Sequence, residues 1–177
     1  MHYKRFYISD TIKASIGQKR VFFIAFLATM AIFLAIAEHM IPKPLPWMRI
    51  GLANAITLYA FTILRKREVF LIVVSRVVST SLLIGSFMSL GFLLSIAGAV
   101  SSFIIMGIIF SYFRRVFSLV GISILGAVTS NLVQLLLVNA VFVRSSISYY
   151  FVPIVLLFAL GGGILSGLFG RFLSENL

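Results

Sequence analysis

The residues able to do chemistry are few, and most fall in one stretch, EHMIPKPLPWMRIGLANAITLYA, from Glu38 to Ala60. Glu38, Arg49 and Asn54 lie there, and Arg76, Asn131 and Gln134 follow at wider spacing. A carboxylate or guanidinium among apolar residues is costly to hold, so each is a site candidate by default. Glu38 and Arg76 either pair with one another or meet an ionic ligand. Asn131 and Gln134, three apart and so on one helix face, offer neutral donors and acceptors to a polar ligand or to a neighbouring helix. The types that would support bond-making chemistry are missing. The four acids, Asp10, Glu38, Glu68 and Glu175, are far apart, and there is no cysteine. No phosphate-binding loop or nucleophile, base and acid set is present, and His2 and His39 fall on opposite sides of the hydrophobic segments. The pattern predicts binding without catalysis, with no metal and no cofactor.

These residues are set in a chain of 177, of which 61% are hydrophobic and 11% charged, with mean hydropathy +1.14. That is far outside soluble composition, so the chain reads as an all-α integral membrane protein. Crossing ~30 Å of hydrocarbon takes ~20 apolar residues, and the apolar runs predict six transmembrane helices near 20–38, 50–64, 68–86, 88–113, 117–142 and 149–172. Residues 1–19 read as a basic tail and 20–177 as one membrane domain. Pro42, Pro44 and Pro46 cannot continue a helix and predict a stiff extended loop. Trp47 at its end is an interfacial anchor or a lid over a ligand.

Small residues predict where helices approach. Ala31 and Ala35 are four apart on the first helix, and Gly163 and Gly167 form a GxxxG pair on the last.

The net charge of +11 is placed between apolar segments rather than on one face, which excludes nucleic acid as the expected partner. With the N-terminus inside, eleven basic residues fall on cytoplasmic positions and three, Lys43, Arg49 and Arg144, outside. This bias predicts that both termini are cytoplasmic. It also puts Glu38, Arg49, Asn54, Arg76, Asn131 and Gln134 in the outer half or middle of the bundle, where the cations favour an anionic or electron-rich ligand.

PWMRIGLANAITLYA at 46–60, SLGFLLSIAGAVSS at 89–102 and GAVTSNLVQLLLV at 126–138 carry a resemblance. The chain resembles the bacterial membrane family known as heptaprenyl diphosphate synthase component I, or the Gx transporter family. That family is similar to the substrate-binding S components of energy-coupling factor transporters. The resemblance implies a six-helix bundle in the bacterial cytoplasmic membrane, with an outward-facing pocket under the loop that follows the first helix. It implies that Ala31 and Ala35 pack against a transmembrane T component driven by ATPases. The expected function is uptake of a small anionic or polar cofactor precursor, or an isoprenoid-type molecule. The alternative is a non-catalytic accessory subunit for a soluble prenyltransferase in quinone synthesis. Prenyl elongation itself needs magnesium held by clustered carboxylates, and this chain has no aspartate pair.

Overall fold

The computed structural model describes residues 3–41, 50–113, 115–143 and 150–176, with side chains described between residues 18 and 175 of those ranges. Six α-helices are present: α1 (Tyr3–Met40), α2 (Asn54–Ile63), α3 (Lys66–Leu83), α4 (Leu90–Tyr112), α5 (Leu119–Val138) and α6 (Val152–Asn176). A π-helical turn, Asn139–Val143, extends α5, and no strand occurs among the described residues.

Two elements depart from the expected boundaries. Residues 3–19 share one unbroken helix with the first apolar run, so the backbone of the basic tail continues α1 rather than forming a separate segment. Gly17 is the single helix-weakening residue there, and one such residue does not end a helix. In contrast, α2 begins four residues later than expected, because Gly51 has φ +89° and the chain turns there. With ten residues, α2 is roughly 15 Å long, half the thickness of a bilayer core.

Among the described residues, four segments are long and apolar enough to cross a membrane: Gln18–Met40, Leu90–Tyr112, Leu119–Val141 and Val152–Glu175. The third helix is long enough but carries Lys66, Arg67, Glu68 and Arg76.

The outer surface is apolar, unlike that of a soluble protein. Large apolar side chains such as Phe22, Phe33, Leu93, Leu136, Leu157 and Phe172 are exposed, whereas Asn54, Thr57, Arg76, Ser102, Asn131, Gln134 and Ser166 are buried. This is the pattern expected when the surroundings are lipid and helices associate through small and polar groups. At the centre lies α2, buried from Asn54 to Phe61. It packs among Leu27 and Ala31 of α1, Ile72 of α3, Met106 of α4, Ile122 of α5 and Leu173 of α6.

The GxxxG pair on α6 does what its spacing predicts. A Cβ at Gly163 would come within 2.6 Å of the Ile124 Cα, and one at Gly167 within 2.6 Å of the Val120 Cα. The two glycines therefore let α6 lie directly on the α5 backbone. Between α3 and α4 a Schellman turn closes α3, with the Gly85 amide bonded to Leu82 O and the Ser86 amide to Ser81 O. Gly85 supplies the φ of +74° that this turn requires. The hydroxyl of Ser89 then caps α4 by accepting from the Phe92 amide.

Candidate functional site

The end of α1 and the start of α2 are joined through Glu38. Its carboxylate, only 5% exposed, accepts hydrogen bonds from the backbone amides of Ile50 (2.8 Å), Gly51 (3.1 Å) and Leu52 (2.9 Å). Three converging amides stabilise the buried anion. The other side of this turn is held by α6, where the Ser166 hydroxyl lies 2.7 Å from Gly51 O. A Cβ at Gly162 would collide with Ile50 O, so only glycine allows α6 this close. The first amides of α2 are spent as well: Asn54 N bonds to Gly51 O and Ala55 N to Leu52 O. The α2 N-terminus is thus already satisfied.

A polar chain runs inward from this clamp. The Arg76 guanidinium, 4% exposed, donates to Asn54 Oδ1 at 3.4 Å. The Asn54 amide nitrogen faces the Ser102 hydroxyl at 3.4 Å. A cation this deep needs oxygen partners to be tolerated, and α2 provides one from its first residue.

Beside the clamp lies a cavity of about 140 Å³. Its walls come from α1 (Ala35, Glu38, His39), the turn into α2 (Gly51, Ala53, Asn54), α3 (Arg76, Val77, Thr80, Ser81), α4 (Gly91, Ser95, Ala99) and one residue of α5, Ser130. The connection after α3 contributes Ile84 and Ser86. Glu38, Asn54 and Arg76 are thus brought together on one space.

Asn131 and Gln134 are buried on α5 but are not among the lining residues. Asn131 donates to Ala127 O one turn back, at 3.0 Å. The wall expected from this part of α5 is instead supplied by Ser130 and by α4. Ser95 of α4 and Thr80, one turn after Arg76 on α3, also line the cavity. Neither is singled out by the sequence, and the spacing of Thr80 from Arg76 was the available signal.

Ala31 is fully buried in the core and Ala35 lines the cavity. Ala31 thus packs within this chain's own bundle, while Ala35 is only partly buried. The residues expected to form the loop over the pocket, Pro42, Pro44, Pro46 and Trp47, lie outside the described residues, as does Arg49.

The described carboxylates do not converge. Glu38 is held by backbone amides, Glu68 pairs with Arg20 at 2.8 Å and also accepts from the Arg65 amide, and Glu175 pairs with Arg171 at 2.7 Å. No group of three or more metal-ligating side chains occurs among the described residues. What the site can do chemically is hold a small polar molecule, with a cation, a carboxamide and several hydroxyls facing it.

Neither curated proteins nor solved structures give a match. Residues 27–173 match the family described as Heptaprenyl diphosphate synthase component I, a stretch that includes all of the cavity wall, and the chain belongs to that family.

Proposed function

We propose that the protein is a substrate-binding membrane subunit that captures a small polar or anionic molecule in the cavity beside Glu38 and passes it inward. In this reading the chain makes six passes with both termini in the cytoplasm, like an S component. The short α2 completes its pass through the turn that Glu38 holds, and the chain relies on partners for ATP hydrolysis. The observation that carries this reading is the cavity itself. In a bundle whose surface is almost all hydrocarbon, Arg76, Asn54, Glu38 and a set of hydroxyls face one space of about 140 Å³. Helix packing alone does not require a buried guanidinium beside a void.

The test is native mass spectrometry of the detergent-purified chain and of Arg76→Gln. A small mass that co-purifies with the wild type and is lost in the variant supports the reading. An empty wild type, or a ligand retained by Arg76→Gln, sinks it.

The family description favours a second reading, a membrane-associated component of a polyprenyl diphosphate synthase. The exposed cations Arg65, Lys66 and Arg67 at the α2–α3 turn would then dock a soluble prenyltransferase, and the cavity residues would only hold helices together. Co-purification of such an enzyme, lost when these three are replaced by Gln, decides for this reading.

A further inference from the structure

Gln134 is 1% exposed, and neither its Nε2 nor its Oε1 has a hydrogen-bond partner. Its amide lies against the bare backbone of Gly98, where a Cβ would collide with Nε2 and come within 2.7 Å of Ser130 Oγ. Ser130 stands one turn before Gln134 on α5, and Ala99 adjoins Gly98, and both line the cavity. The amide is therefore stationed directly behind the part of the cavity wall that Ser130 and Ala99 form. A second orphan faces the same space: the Thr80 hydroxyl is buried, unpartnered and part of the wall.

An unbonded carboxamide in apolar surroundings is destabilising and uncommon in native cores. Leucine, of similar volume, would fill the place without that penalty. The side chain has three rotatable bonds, so its amide presents itself to the cavity by swinging past Ser130.

We infer that Gln134 recognises the end of the cavity's occupant that lies against α4 and α5, and that this end is a neutral group that both donates and accepts a hydrogen bond, such as a carboxamide or a lactam. The inference rests on the cavity being the ligand site. A carboxamide offers two donors and one acceptor. A phosphate would satisfy only the donors and set its oxygens against Oε1, and a prenyl tail would satisfy neither. The volume agrees, since about 140 Å³ matches the roughly 150 Å³ that holds one benzene ring. The occupant is then a ring-sized molecule with an electron-rich group toward Arg76 and a neutral hydrogen-bonding group toward Gln134, not an isoprenoid phosphate.

Two probes of matched outline separate these chemistries, 4-carbamoylbenzoate and 4-isopropylbenzoate, titrated into ligand-depleted full-length protein with thermal unfolding as the readout. The wild type binds the carbamoyl probe about tenfold more tightly, the effect of two neutral hydrogen bonds. That preference vanishes in Gln134→Leu and Gln134→Met. Both variants fold, and both melt at higher temperature without ligand, because an unpaired amide has been removed. Equal binding of the two probes by the wild type, a preference that survives in the variants, or no binding of either probe overturns the assignment. Equal binding that is lost in Arg76→Gln removes the role of Gln134 while leaving the cavity a ligand site.

Discussion

Replacing Glu38 tests whether the turn between α1 and α2 is held by a side chain rather than by its own backbone. In Glu38→Gln the best amide orientation keeps the oxygen on the Gly51 and Leu52 amides, which share Oε2, and turns an NH2 toward the Ile50 amide, which now bonds to Oε1 at 2.8 Å. One bond is lost to a donor–donor contact and two fall from charge-assisted to neutral. Charge-assisted bonds contribute about 1.5–3 kcal/mol each and neutral ones about 1, so the change destabilises by roughly 2.5–7 kcal/mol, toward the lower end because these bonds are only part-buried. Glu38→Ala leaves three part-buried amides without their acceptor and destabilises by about 4–5 kcal/mol. For a chain of this size these correspond to falls in apparent Tm of about 5–10 °C and 10–20 °C. Thermal unfolding in detergent measures both. Hydrogen exchange at Ile50, Gly51 and Leu52 gives an independent local readout and accelerates in each variant. A Glu38→Gln protein that melts within about 1 °C of wild type, with these amides still protected, refutes the clamp.

Adjacent glycines on α6 provide an internal contrast. Gly163→Val destabilises by roughly 2–4 kcal/mol because its Cβ meets the α5 backbone at 2.6 Å, whereas Gly161→Ala, with open space around it, is neutral or stabilises by about 0.5–1 kcal/mol; thermal unfolding of the two compares them directly. The Arg20–Glu68 pair is bidentate but partly solvated, so a double-mutant cycle gives a coupling of about 0.5–1 kcal/mol that shrinks in high salt. Because the chain has no cysteine, single substitutions report topology cleanly. Cysteines at Arg67 and Arg115 stay unlabelled by an impermeant maleimide added to intact cells, while one at Met88 is labelled; the opposite pattern would invert the proposed orientation.

The helices were legible because apolar runs end in basic clusters, Arg65-Lys66-Arg67 and Arg114-Arg115, and the α5–α6 contact because Gly163 and Gly167 repeat at one face. The pairing of Asn54 with Arg76 was half legible, since both are polar groups that hydrocarbon cannot satisfy. The start of α2 was not. It depends on a bond from Glu38 to amides twelve to fourteen residues away, which no local pattern encodes. Nor was the facing of Ala31 legible. A helix that is apolar on all sides has no amphipathic signal, so packing alone sets its rotation. The same ambiguity applies to SIAGAVSS on α4. Its small residues take three separate roles: Ser95 lines the cavity, Gly98 receives the Gln134 amide, and Ser102 faces Asn54.

The word heptaprenyl in the family description invites the idea of a prenyl chain in the bundle, and the packing argues against it. Below the cavity the centre is filled by α2, and Phe61 near its end stacks on Phe103 at 5.4 Å and Phe110 at 5.8 Å. A long isoprenoid has no passage there, and its tail would have to lie outside, in lipid. A role in prenyl synthesis would then act through the exposed basic turn, while uptake would act through Arg76 and its cavity. The two readings use different parts of α3, its N-terminal turn and the stretch from Arg76 onward, which makes them separable in one growth experiment. If the cavity serves uptake, Arg76→Gln abolishes growth that depends on that uptake and leaves quinone content unchanged. Replacing Arg65, Lys66 and Arg67 together by Gln does the reverse if a prenyltransferase docks there. Loss of quinone in Arg76→Gln, with the protein at normal abundance, would show that the cavity serves synthesis and would overturn the uptake reading.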